Sequence, residues 1–187
     1  MHDYHQVQLT KKVSTAVSNN VAYAVLHEDG TVTAWGDHNA GGNFTVPRNI
    51  GKVAMIYPGT YAFAAIMSTG KIHAWGRANS GGNYTGVNGQ LLQKEKFLTI
   101  YSTSKAFAAV TTENRVISWG HPGFGGKTPT NGVSDVVKMC ANDVAFGAIS
   151  TTGQLITWGN INWGGDIGTK AAGKTIVECF PRYDYYQ

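Results

Sequence analysis

Charge is scarce in this chain. Asp, Glu, Lys and Arg make up 14% of its 187 residues, whereas glycine occurs 24 times. Little is left for the charge patterns of solvated helices, and the glycines supply turns, so the mix suits an all-β protein. The formal charge is +4, from 15 Lys and Arg against 11 Asp and Glu. The basic residues are spread out, apart from Lys11-Lys12 and the Lys94/Lys96 cluster. The basic stripe of a nucleic-acid binder is missing, so nucleic acid is not an expected partner.

Other chemistries are short of material too. The two cysteines, Cys140 and Cys179, make no disulfide framework and no CxxC pair. They read as buried free thiols at matching places in successive repeats, with a bridge between them left open. His2, His5, His27, His38, His73 and His121 show no metal-ligand spacing. There is no G-x-S-x-G, no catalytic carboxylate pair and no glycine loop leading into a helix. Neither a metal, a cofactor nor an enzyme activity is expected. No apolar run approaches the ~20 residues of a membrane span. Residues 1–12 lack a signal-peptide apolar core. A soluble, cytoplasmic protein is the expectation, and the sequons at Asn43 and Asn83 are then unmodified turn residues.

What is present is a repeat. Residues 62–66 read as a strand, Ser68-Thr69-Gly70 as a tight turn, residues 72–76 as a second strand and Gly81-Gly82 as a further turn. A strand aromatic (Tyr23, Phe63, Phe107, Phe146) precedes a tryptophan (Trp35, Trp75, Trp119, Trp158) by 12 residues each time. The first glycine of a pair follows each tryptophan by 6, and the tryptophans are 40, 44 and 39 apart. The long step absorbs an insertion at 88–96.

A period near 40 with three or four short strands is the signature of a β-propeller blade. These eight aromatics are the expected blade core, flanked by small residues such as Ala64-Ala65 and Ala108-Ala109 that let sheets pack closely. Residues 1–12 form an arm or edge strand, and repeats fill 13–187. Ile176-Val-Glu-Cys179 matches Val137-Lys-Met-Cys140, and Tyr185 matches Phe146, so an overhanging C-terminal strand opens a fifth unit.

The pattern Ala-Phe-Ala-Ala, Gly, Trp-Gly and a glycine pair, as at 62–82, resembles the regulator of chromosome condensation repeat family. Residues 34–47 look closest to its short-repeat bacterial branch, which includes a β-lactamase inhibitor protein. The resemblance implies a propeller, usually of seven blades. Four repeats and a fraction leave three solutions: a small four-bladed ring, two chains joined as a homodimer into one larger ring, or a segment of a longer propeller. The two-chain ring is preferred, because it hides both open ends.

Because the frame repeats, the loops after each Trp-Gly should share one face. Asp37, His38, Asn39, Arg77, Asn79, His121, Phe124, Asn160, Asn162 and Trp163 are the candidate partner-binding residues there. The leading functional reading, partly implied by the resemblance, is a non-enzymatic module that binds a protein partner. A carbohydrate-binding, lectin-like propeller is the alternative. Guanine nucleotide exchange or chromatin binding, as in the founding member, is a third.

Overall fold

The computed structural model describes residues 11–44, 51–84, 94–168, 170 and 174–179. Each repeat folds as one three-stranded antiparallel sheet with its strands in chain order. Blade one is β1 (Val13–Ser18), β2 (Ala22–His27) and β3 (Val32–Gly36). Blade two is β4 (Val53–Pro58), β5 (Ala62–Met67) and β6 (Ile72–Gly76). Blade three is β7 (Phe97–Ser102), β8 (Ala106–Thr111) and β9 (Val116–Gly120). Blade four is β10 (Val136–Ala141), β11 (Ala145–Ser150) and β12 (Leu155–Gly159). The hairpin turn of blade three has Asn114 where its neighbours have Gly70 and Gly153, and Asn tolerates the left-handed φ of 57° found there.

Register explains the fixed spacing of 12. The aromatic and the tryptophan are directly opposite cross-strand partners: Tyr23 with Trp35, Phe63 with Trp75, Phe107 with Trp119 and Phe146 with Trp158. Their ring centroids lie 5.3–5.4 Å apart. Side chains alternate along a strand, so each middle strand has two faces. Phe63, Ala65 and Met67 pack against Ala22, Ala24 and Leu26 of blade one. Ala62, Ala64 and Ile66 pack against Phe107, Ala109 and Trp119 of blade three. The third cluster joins Ala106, Ala108 and Val110 to Phe146, Ala148 and Trp158. The hydrophobic core therefore consists of three joints between consecutive blades. No blade buries its own faces. β5, β8 and β11 are buried at every position, which is why they read as unbroken apolar runs.

The glycine pair belongs to the joint. Gly41 is left-handed, with φ 98°, and a Cβ there would stand 2.9 Å from Phe63 and 2.8 Å from Trp75. Gly81 and Gly125 meet Phe107 and Phe146 in the same way. Each joint is locked by the indole N–H of the later blade donating to the glycine carbonyl of the earlier one. Trp75 reaches Gly41 at 3.2 Å, Trp119 reaches Gly81 at 3.0 Å and Trp158 reaches Gly125 at 3.0 Å.

Two expectations need correction. Tyr23 and Trp35 are not buried core: they are 52% and 40% exposed, against 7% or less for the three later tryptophans and 1% or less for the phenylalanines. They pack on each other, and among the described residues no blade precedes the face they form, although Val25 and His27 further along that face are buried. The tail is also displaced by one residue. Ile176 donates its amide to Gly153 at 2.9 Å, just as Val136 donates to Asn114 and Phe97 to Gly70. Ile176 thus matches Val136, and Cys179 matches Met139 rather than Cys140. Tyr185 and residues 1–10 lie outside the described residues.

Candidate functional site

Every strand of the third type ends beside the start of the second, so the chain leaves each blade at one common end. The amides of Asp37, Arg77, His121 and Asn160 donate to the carbonyls of Val21, Tyr61, Lys105 and Val144 at 2.9–3.0 Å. Each of these residues opens a short 3-10 turn: His38–Ala40, Ala78–Ser80, Pro122–Phe124 and Ile161–Trp163. The four turns share their backbone closely, with φ between −74° and −65° at the first residue and between 88° and 99° at the closing glycine. The expected common face exists, and its frame is constant while its side chains vary.

The candidate residues divide by role. Asp37, His121 and Asn160 turn inward to cap their own loops. Asp37 Oδ1 accepts the Asn39 amide at 2.8 Å, His121 Nδ1 accepts that of Gly123 at 3.1 Å, and Asn160 Oδ1 accepts that of Asn162 at 3.1 Å. Arg77 occupies the same position but makes no cap bond. Its guanidinium lies 4.2 Å over the Tyr61 ring, which fixes the cation on the surface. Phe124 is half-buried, packed on the joint between blades three and four, with Lys105 Nζ 4.9 Å above its ring. His38, Asn39, Asn79 and Asn162 point to solvent, and Trp163 is 70% exposed.

Sequence reasoning missed the clamps beneath the loops. Asn19 Nδ2 donates to the Ala40 carbonyl at 2.8 Å, Thr103 Oγ1 to Phe124 at 2.8 Å and Asn142 Nδ2 to Trp163 at 3.0 Å. The two asparagines also accept amides of their own turns, at Ala22 and Ala145. The signal was present: Asn19, Gly59, Thr103 and Asn142 each precede the strand aromatic by four residues. Tyr61, which positions Arg77, carried no such mark.

Two concavities open on this face. A groove of about 520 Å³ runs between blades one and two, lined by His38, Asn39, Asn43, Gly76, Arg77 and Ala78. A central depression of about 560 Å³ collects the ends of the first strands, with Asn19, Asn20, Thr60, Tyr101 and Ser102 among its lining. The groove is mainly polar and the depression mainly apolar, and neither gathers a nucleophile with a base among its described lining residues. Among the described residues no group of three His, Cys, Asp or Glu side chains is placed to hold a metal. No described helix is long and apolar enough to cross a membrane.

The opposite end is electrostatically different. Lys11 pairs with Asp29 and Lys12 with Glu28, both at 2.8 Å, and Arg115 contacts Glu95 and Glu113 at 3.0 and 2.9 Å. The Lys11 ammonium, bonded to Asp29, holds that carboxyl well below the usual carboxylate range. Among the described residues the ion pairs fall at this hairpin end and between Lys138 and Glu178, and none falls on the loop face.

His73 is half-buried between Phe44 and Tyr84, its Nδ1 3.2 Å from the Tyr84 hydroxyl, and burial pushes its pKa down. Cys140 and Cys179 are free and half-buried. Burial, reinforced by the neighbouring Cys179 thiol, pushes the Cys140 thiol up to about 12.

No family model matches the chain, and no curated relative does. Solved structures do. The ectodomain of the Physcomitrella patens receptor kinase CR4 superimposes with a TM-score of 0.58 at 15% identity, over 80% of this chain and 41% of that one. Prp20p from Saccharomyces cerevisiae, studied for its binding to Gsp1p and histones, gives 0.56 at 18% identity over 81% and 44%. The CRINKLY WD40 ectodomain of the Arabidopsis thaliana receptor kinase ACR4 gives 0.56 at 17% over 80% and 53%. The chain spans about half the length of each. At these identities the likeness is one of fold, and the fold is a β-propeller array of four blades.

Proposed function

We propose that this chain is a non-enzymatic interaction module whose loop face binds a protein partner. The observation that carries the reading is a constant backbone frame presenting different side chains, with one cation, Arg77, set on the surface by Tyr61 rather than used as a cap. A rigid scaffold with variable loops is the usual way to position recognition residues. The neighbouring groove, with His38 and Asn39 on one side and Arg77 on the other, fits an extended segment bearing carbonyl or carboxylate groups. Prp20p, a propeller of related fold, binds Gsp1p and histones, which supports the class of function without transferring those partners.

Arg77→Ala combined with His38→Ala is the test. Neither side chain is buried, so the double variant is expected to keep its unfolding midpoint. An immobilised double variant should lose at least tenfold of the partner that the parent protein retains, while Asp29→Ala at the hairpin end should lose none. Equal retention by all three proteins, with folding intact, would remove the loop face from the account.

A further inference from the structure

The three joints inside the chain define what a fourth would need, and both halves of a fourth are present. On blade one, Tyr23 and Trp35 are stacked at 5.4 Å, the centroid spacing of the buried pairs, with planes 10° apart against 23–32° in those pairs, yet they face solvent. On blade four, Gly164 repeats the left-handed cradle with φ 99°. A Cβ there would approach no ring: its nearest neighbour is Asn142 Nδ2 at 3.4 Å. Gly41, Gly81 and Gly125 are buried under the next blade's aromatics, and Gly164 is exposed. Beside it Trp163 is 70% exposed, where the inner joints bury Ala40 and Ser80 and half-bury Phe124.

We propose that blade one of one copy docks on blade four of a second copy, head to tail. The Tyr23–Trp35 stack then covers Gly164, with the Trp35 indole N–H donating to the Gly164 carbonyl. The occupant is a second copy because the two vacant halves are complementary by the rule the chain itself follows three times. Two such joints close a pair of chains into one eight-bladed ring.

Area decides how deep the contact runs. Two aromatics bury roughly 150–250 Å² each, short of the ~1,000 Å² a specific interface needs. The first strand of the incoming blade must therefore join as well. Its slot is held within each chain by residues 174–179, through Ile176 on Gly153. Ile149, deeper in the blade-four face, is already buried at 1%. Docking thus exchanges residues 174–179 of one copy for β1 of the other.

The experiment places a photo-crosslinking amino acid at Tyr23 and irradiates an equal mixture of heavy-isotope and ordinary chains. Mass spectrometry should find crosslinks from residue 23 to the peptide containing Ile161–Gly165, half of them between heavy and ordinary chains. Their yield should fall at least tenfold in Trp35→Ala and rise in Ile176→Pro, which removes the amide that holds the slot. Crosslinks confined to one isotope, crosslinks to another surface, or none at any concentration up to 100-fold above the working one would each overturn the proposal. A lower yield in Ile176→Pro would overturn the strand exchange.

Discussion

Removing one tryptophan from each kind of blade measures the joint directly. Trp119 is 3% exposed, stacks on Phe107 at 5.4 Å and donates to Gly81 at 3.0 Å. Truncating a buried aromatic to alanine costs about 3–5 kcal/mol, and here it also strands a carbonyl inside the joint. Trp119→Ala should therefore cost at least ~4 kcal/mol. Trp35 has the same sequence context and the same cross-strand partner type, but it is 40% exposed. Full burial of a large apolar side chain contributes about 1.5–3 kcal/mol, and with part of the ring in water the loss should be ~1–2 kcal/mol. Urea unfolding followed by far-ultraviolet circular dichroism, at protein concentrations where the chain is monomeric, reads both. The Trp35→Ala penalty should grow as concentration rises and the fourth joint fills. Equal penalties for the two variants in the monomer would refute the joint as described.

Three further outcomes follow from particular contacts. Gly125→Ala and Gly164→Ala share the penalty of a left-handed alanine, ~1–2 kcal/mol; Gly125→Ala, whose Cβ falls 2.5 Å from Phe146, should cost a further ~1–3 kcal/mol, and equal urea midpoints in the monomer would contradict that. His73 has its pKa lowered by burial from 6.5, so the unfolded chain takes the proton first as acid is added. Its stabilising contribution is complete above pH 6.5 and is lost as pH falls from there through the lower folded value. The melting temperature should therefore fall less between pH 7 and 5 in His73→Gln than in the parent, and parallel curves would refute the assignment. Cys140, at about 12, should react with iodoacetamide at pH 8 over a hundredfold more slowly than a free thiol, as peptide mapping would show; labelling as fast as glutathione would contradict its placement.

The fold was legible because its physics is periodic. The spacing of 12 between Phe63 and Trp75 is a cross-strand pair, and the step of 6 to Gly81 is the path through one 3-10 turn into the next joint. Those two distances locate the strands, the core and the common loop face. What the residues did not reveal depends on position in the array or on backbone bonds. Tyr23 and Trp35 look like core by identity, but no described blade packs on them as blades one to three pack on the later pairs. Cys140 and Cys179 invite alignment with each other, but the amide of Ile176 on Gly153 sets the tail one residue away from that match. Within the site, Asp37 and Arg77 stand at one position, and hydrogen-bond geometry alone tells that the first caps its turn while the second is held outward.

The loop face is the proposed recognition surface of this chain. Hydroxyl-radical footprinting of the chain bound to its captured partner, compared with the chain alone, tests it in one measurement. Protection is predicted at His38 and Arg77, on the turns that follow Trp-Gly in blades one and two, with the hairpin turns at 28–31, 68–71, 112–115 and 151–154 unchanged. Protection of the hairpin turns with the loop face still open to the radical would contradict it.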